Sequence, residues 1–321
     1  MQVFDGHSDL LYDVTRRRLA GEKDVFRRCH LERLRKGGVE GMVLALWTSR
    51  GDGDTFWEGV PGAETDAKRT ALMCRCAKEE FTECGEILVV RTAAQAAKAR
   101  EEGKLYAFLG VEGMAALEGD PAGVEAYARW GARLGMLSWN EENAFATGAG
   151  GDPEKPLTAA GREAVRRMES ANMLVDVSHL NDRGFWDVMD LTHGPVIASH
   201  SNCRALCGAR RNLTDRQLRA IRDTGGVVGL NVYHGFVHEE KEQQTVAMLA
   251  RHAAHMADCI GVEHVACGFD FCEFFGNGSD GAKGLEDASC IPAFFDELRK
   301  LGMHREELEG IAWKNFLSVL A

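Results

Sequence analysis

The chain has 321 residues, 45% of them hydrophobic, and a formal charge of −11. That acidity argues against nucleic acid or an anionic membrane surface as a partner, and no apolar run approaches the ~18 residues of a membrane span. The apolar content can fill one large core, and α/β barrels use about 250 residues as one unit, so 1–321 reads as a single domain.

The opening Met1-Gln2-Val3-Phe4 reads as a β-strand running into Asp5-Gly6-His7-Ser8-Asp9. On an extended chain His7 and Asp9 point to the same side, and imidazole and carboxylate both suit Zn²⁺. One His-x-Asp arises by chance in such a composition, so the pair alone reads more readily as a surface turn with a capping Asp. A helix over 24–36 stops at Gly37-Gly38, and 41–47 is a continuous apolar run, the mark of a parallel strand covered on both faces. A polar, Gly-rich stretch (51–62), a helix (65–84), a short extra strand (87–90) and an Ala-rich helix (93–102) follow. Strand 105–111 ends at Glu112, helix 123–134 leads to strand 136–140, and a loop over 141–155 precedes helix 158–172. Strand 174–178 ends at His179, and after helix 182–191, strand 196–199 ends at His200. Helix 214–224, strand 227–232 and a long helix 239–260 lead to strand 264–269, which ends at Asp270. A Gly-rich loop (274–283) and helices over 288–301 and 305–320 complete the chain.

This gives about eight strand–helix units, which points to a closed (β/α)8 TIM barrel. The alternative, an open doubly wound sheet, lacks a Gly-x-Gly-x-x-Gly after the first strand. Gly148 to Gly151 lacks the Lys-Ser/Thr ending of a phosphate cradle and reads as a mobile loop. The ten cysteines are scattered, and neither Cys74 with Cys76 nor Cys203 with Cys207 has Cys-x-x-Cys spacing. With no basic-then-apolar opening segment, they read as reduced, mostly buried thiols of a cytoplasmic protein.

His7, Asp9, Glu112, His179, His200 and Asp270 all fall at strand ends. Barrel active sites lie at the C-terminal ends of the strands, so these residues converge on one mouth. Singly, each is more readily a hydrogen-bonded rim residue or a cap. Together, unpaired carboxylates at one mouth would repel one another, and divalent cations remove that repulsion. His252 and His255 read as a solvated helix face, and His30, His193, His264 and His304 as surface. His234 and His238 follow the seventh strand, with a smaller claim on the mouth.

Asp5-Gly-His-Ser-Asp-Leu10, Gly110-Val-Glu-Gly113, Val175-Asp-Val-Ser-His179, Pro195-Val-Ile-Ala-Ser-His-Ser-Asn202, Arg210-Arg-Asn212, Gly268-Phe-Asp-Phe271 and Gly284-Leu-Glu-Asp287 span nearly the whole chain. In this order they resemble the renal (membrane) dipeptidase family of binuclear zinc peptidases, peptidase family M19, within the amidohydrolase-like barrels, and a microbial branch of it. The resemblance implies two Zn²⁺ per chain, one held by His7 and Asp9 and the other by His179 and His200, with Glu112 bridging. It implies attack by a hydroxide that the two zinc ions share, Asp270 as the proton carrier, and Arg211 holding the terminal carboxylate of a small dipeptide. Family members often accept a D-residue at the C-terminal position and are commonly homodimers, although no interface is visible in the sequence. The ligand types also suit Mn²⁺ and Fe²⁺.

Two positions depart from the family pattern. Trp139 replaces a His thought to contact the substrate carbonyl; an indole donates one hydrogen bond but cannot become a cation. Zinc, Asn140 or Asn143 would then stabilise the oxyanion, with Trp139 and Asn143 counted on the substrate side. The family's Asp-Phe-Asp is here Asp270-Phe271-Cys272. The rival readings are another amidohydrolase of the same barrel, a deaminase or lactonase, and a non-catalytic metal-binding scaffold. Arg211 argues against the first and Asp270 against the second.

Overall fold

A computed structural model describes residues 1–48, 56–276 and 281–320, so parts of the Gly-rich stretches expected at 51–62 and 274–283 lie outside the described residues. Strand β1 (Val3–Ser8) is followed by β2 (Val39–Trp47) and, after β3 (Ile87–Val89), β4 (Leu105–Glu112), which are largely apolar because both faces are covered; every residue of β1 and β4 is buried. They pair in parallel in the order β1–β2–β4 and continue through β5 (Ala132–Met136), β6 (Leu174–Asp176) and β7 (Val196–Ile197). One edge of β4 is shared, its Leu105–Ala107 half pairing with β3 and its Leu109–Glu112 half with β5.

Strands β8 (Val228–Leu230) and β9 (Val265–Cys267) form a separate parallel pair. A single parallel bridge, Ala198 with Val228, links it to the β7 side, and the Asp270 N–H donates to the His7 carbonyl at 3.3 Å on the β1 side. The result is an α/β fold whose parallel sheet curls into a half-barrel; among the described residues its ladders do not form one continuous eight-stranded ring. Phe4, Val43, Tyr106, Phe108, Leu134, Ile197 and Ala266 fill the space inside the curl, closed from below by Phe316 of helix Asn315–Leu320. Along β4, Phe108 and Glu112 share a face by the two-residue period, so the acid stands directly above this plug.

Helices start where the sequence supplies an acceptor for a free backbone N–H. Thr65, Thr92, Thr158, Asn181, Thr214 and Thr245 each accept from the N–H three residues on. No helix of the described residues is long and apolar enough to cross a membrane.

Several elements differ from expectation. Helix Leu10–Leu19 follows β1 directly, and the helix expected over 24–36 is a π-helical Phe26–Leu31 running into Glu32–Gly37. Strand β5 lies earlier than 136–140 because Gly131, at φ 118°, stops the preceding helix at Trp130. The long helix begins only at Val246, after turns at His234–Val237 and Lys241–Gln243. His252 is fully buried, its ring 2.8 Å from the Val237 carbonyl and accepting the Cys203 N–H at 3.1 Å, while His255 meets Asp215 at 2.8 Å. His30 is also buried, 3.0 Å from Asp13, and His264 meets the Gly226 carbonyl at 2.7 Å; neither is a free surface group.

Where β7 meets the second sheet, Gly229 and Gly268 both face the Ser199 carbonyl oxygen, and a Cβ on either would fall on it. Gly268→Ala is expected to cost about 3 kcal/mol of stability through overpacking, read from the urea midpoint. A variant as stable as the parent would mean that the Ser199 backbone is free to move away.

Candidate active site

His7 projects from the end of β1 with its ring fully buried. Its Nε2 lies 3.4 Å from Glu112 Oε2, 3.7 Å from Asp9 Oδ1 and 3.8 Å from Asp270 Oδ1. The other oxygen of Glu112, Oε1, lies 2.8 Å from His179 Nε2 and 3.7 Å from His200 Nε2, and those two nitrogens are 2.8 Å apart. The strand-end residues expected to meet therefore do meet. Ligand atoms of His7, Glu112 and His200 lie within 4.8 Å of one another, as do those of His7, Asp9 and Asp270.

The side chains beneath this group aim it. Asp5 Oδ1 accepts the N–H of Phe269 at 2.7 Å and that of His7 at 3.4 Å, tying the end of β1 to the chain leaving β9. Asp176 Oδ1 does the same for Ser178 (3.0 Å) and Ser199 (3.1 Å), below His179 and His200. Asn140 Oδ1 lies 2.9 Å from His179 Nδ1, and Ser199 Oγ lies 2.8 Å from His200 Nδ1, leaving each Nε2 toward Glu112. Asn231 Nδ2 donates to Asp270 Oδ2 at 3.0 Å, its own Oδ1 being taken by the Tyr233 N–H at 2.7 Å. Asn202 clamps the Asn231 backbone on both sides, accepting its N–H at 3.0 Å and donating to its carbonyl at 2.9 Å. His179 and Asp270 sit at φ 72° and 61°, left-handed backbone that costs a non-glycine residue about 1–3 kcal/mol and concentrates at functional sites. Sequence reasoning assigned no role to Asp5, Asp176, Asn202 or Asn231. For Asp5, Asp176 and Asn231 the visible signal was a polar residue inside an otherwise apolar stretch expected as a strand; Asn202, in the loop after His200, gave none.

Burial dominates the electrostatics. It pushes the Glu112 carboxyl up to about 8, with the Asp9 charge adding to it, the Asp270 carboxyl to about 6 and the Asp5 carboxyl to about 7. Burial also opposes a charge on His7, but Glu112 and Asp9 outweigh it and hold this imidazole well above its ordinary value. His179 and His200 are held well below theirs by burial, in the neutral form that ligates metals. Both ring nitrogens of His7, Asp9 Oδ1 and Glu112 Oε2 are buried without a hydrogen-bond partner among the described residues. Orphaned lone pairs on a nitrogen-and-oxygen donor set, beside crowded acids, fit a divalent cation.

Around this centre, Arg211 is buried, donating to the His200 carbonyl at 3.2 Å and to Ser201 Oγ at 3.3 Å, with its Nε unpartnered among the described residues. Burial lowers its pKa to about 10, which still leaves it a cation at neutral pH. Trp139 is half-buried, its ring 6.0 Å from that of His179. Asn143 differs from its expected substrate role: its Nδ2 donates to the Leu137 carbonyl at 2.9 Å, and its Oδ1 accepts from Phe145 (2.8 Å) and Ala146 (3.2 Å). Its amide is committed to shaping the loop that carries Trp139. The segment through Gly148–Gly151 is likewise bonded in place, with Gly148 N–H on the Glu141 carbonyl (2.9 Å), Ala149 N–H on His179 (2.7 Å) and Gly150 N–H on Asn140 (3.1 Å). Cys272 Sγ lies 3.7 Å from Asp270 Oδ1.

Acids and imidazoles gathered at the ends of parallel strands, aimed from beneath by buried carboxylates, define the class as a metal-dependent hydrolase. The sequence profile of the membrane dipeptidases (peptidase family M19) matches residues 1–321, and the chain belongs to that family: it is a metallo-dipeptidase. Among similar proteins, an uncharacterised Klebsiella pneumoniae protein from the pqqA 5′ region is 34% identical over 245 residues, covering 74% of this chain and 89% of its own. An uncharacterised dipeptidase of Schizosaccharomyces pombe is 33% identical over 255 residues, 77% of this chain and 59% of its own. A metallopeptidase from Rhodobacter sphaeroides, solved with a phosphinate mimic of L-Ala-D-Ala, superimposes with a TM-score of 0.86 at 27% identity, covering 100% of this chain and 98% of its own.

The raised groups fix how metal-free stability depends on pH. Above 6.5 the unfolded chain has released the protons that folded Glu112 (about 8), Asp5 (about 7) and His7 still hold, so stability falls as pH rises through those values. His179 and His200, held below 6.5, add no slope there. Metal binding requires the same protons to leave and so strengthens with pH. Melting of chelator-treated and zinc-loaded protein across this range should show a gap in Tm that widens with pH, and a narrowing gap would contradict the charge balance described.

Proposed function

We propose that this enzyme hydrolyses free dipeptides with two zinc ions, accepts a D-residue at the C-terminal position, and does so on a sheet that closes as a (β/α)8 barrel. The observation that carries the reading is the division of Glu112, whose Oε2 is 3.4 Å from His7 Nε2 while its Oε1 is 2.8 Å from His179 Nε2. A carboxylate with one oxygen toward each histidine group is suited to bridging, with His7 and Asp9 on one side and His179 and His200 on the other. Two divalent cations, when bound, supply the acidity that ionises water near neutral pH and the polarisation of a scissile carbonyl.

The chain's own groups do the rest. Asp270, anchored through Oδ2 by Asn231 and with Oδ1 3.8 Å from His7 Nε2, takes the proton of the attacking water and delivers it to the leaving amine. Arg211 presents a cation beside Asp270 and binds the terminal carboxylate of the substrate, which selects free dipeptides over longer or blocked ones. The phosphinate mimic of L-Ala-D-Ala bound by the Rhodobacter sphaeroides relative supports tolerance of a D-residue. The cysteines are all free thiols, which supports a reducing, cytoplasmic setting.

The test is a panel of L-L and L-D dipeptides, free and C-terminally amidated, with zinc-reconstituted protein. Free dipeptides should be cleaved and the amides spared; no cleavage with two metals bound would point to a different amidohydrolase substrate. Asp270→Asn should retain both metals and lose about 10²-fold or more in kcat, whereas unchanged turnover would remove Asp270 from proton transfer. Arg211→Ala should mainly raise KM for free dipeptides and matter little for blocked ones. Equal losses on both would count against the carboxylate clamp.

A further inference from the structure

One side of the centre is lined by rings. Trp47 ends β2 in register with Glu112, so both side chains leave the sheet on the same face, toward the mouth. Its ring centroid is 5.3 Å from Trp139, 5.3 Å from Tyr12 and 6.2 Å from Phe275. Tyr12 stands in the first turn after Asp9, 4.9 Å from Phe275. Tyr12 and Trp47 are buried at 3% and 6% exposure, whereas Trp139 and Phe275 are only half-buried and form the rim. Trp139 joins this group to the centre itself, at 6.0 Å from the His179 ring.

We propose that Trp139 and Phe275, backed by Trp47 and Tyr12, receive the side chain of the substrate's N-terminal residue, so that the enzyme prefers dipeptides beginning with a large apolar residue, aromatic above all. This inference rests on the dipeptidase reading and on Arg211 holding the C-terminal carboxylate. Arg211 bonds to the His200 carbonyl and to Ser201, on the β7 side, while Tyr12, Trp47 and Trp139 come from the ends of β1, β2 and β5 and Phe275 from the turn beyond β9. Glu112 Oε1 reaches the ring of His200, whose carbonyl Arg211 holds, and its Oε2 reaches His7 of β1. A dipeptide with its carboxylate on Arg211 and its peptide bond over Glu112 carries its first residue away from Arg211, toward the side that these rings line among the described residues. An aromatic side chain there stacks offset or edge-on and leaves water. A charged one is desolvated with no opposite charge from the four rings themselves.

The experiment uses zinc-loaded enzyme and a series X-Ala with X as Gly, Ala, Leu, Phe, Asp or Lys, read as kcat/KM. Phe-Ala should exceed Gly-Ala by about tenfold or more, in keeping with what apolar pockets discriminate, with Leu between and the charged residues lowest. Trp139→Ala should compress the Phe/Gly ratio to about threefold or less, Trp139→Phe should restore most of it, and Phe275→Ala should lower it independently, with metal content checked in each. Equal rates across X, a preference for Asp or Lys, or a ratio unmoved in both Ala variants would overturn the aromatic wall while leaving the dipeptidase intact. Failure to cleave any member would overturn the dipeptidase reading, and the wall with it.

Discussion

Charge balance around Glu112 is the constraint on which the rest of this structure turns. Its carboxylate is buried, with Asp9 and Asp270 among its nearest neighbours and His7, His179 and His200 supplying nitrogen on both sides. Left alone, such a group resolves its repulsion by holding protons, which is what the raised Glu112 and Asp270 carboxyls and the raised His7 express. Divalent cations resolve it in the opposite way, by taking the lone pairs and expelling the protons. The same packing that makes the metal-free centre costly would couple cation binding there to the loss of those protons.

Holding such a group together requires support from below. β1 loses regular register with β2 between Asp5 and Ser8, and this irregular stretch carries His7, whose ring faces Glu112. Backbone N–H groups at such a place lose ladder partners, and the Asp5 carboxylate takes that of His7 together with that of Phe269 in the chain leaving β9. Asp176 performs the same service between β6 and β7, where the regular ladder ends just before His179 and His200. The left-handed backbone at His179 and Asp270 persists because these bonds, and the close approach allowed by Gly229 and Gly268, determine the geometry on every side.

The residues gathered at the mouth were legible because they occupy strand ends, where a polar residue after an apolar run is conspicuous, and because parallel strands bring such ends together. His30 and His252 were misread for a related reason: a polar side chain in a helical stretch suggests solvent until its partner, Asp13 for one and the Val237 carbonyl for the other, is known. Those partners are distant in the chain or in the backbone, and periodicity carries no information about them. Strand β5 was misplaced by four residues at its start, expected at 136 and found at Ala132, because Gly131 ends a helix through a positive φ that its neighbours do not announce. Asn143 lies in the right loop, yet whether an amide faces the substrate or its own backbone is decided by the loop's path. Closure of the sheet was the coarsest expectation to rest on counting alone, and the ladders give a curled half-barrel.

The two departures from the family pattern act in the same electrostatic direction. At Cys272 a thiol stands where a second acid would add another negative charge to a mouth already crowded with carboxylates. Burial and the Asp270 charge push it well above its ordinary value, so it stays neutral and its S–H points at Asp270 Oδ1, 3.7 Å away. At Trp139 an indole stands where an imidazole could have carried a proton, and its neighbour Asn140 orients His179. Each change removes a titrating group from the rim. On the proposed reading, Arg211 then supplies the positive charge that fixes the carboxylate end of the substrate, while the opposite end is selected by apolar contact. Polar at one end and aromatic at the other, such a site would orient a dipeptide by its own asymmetry before any proton moves.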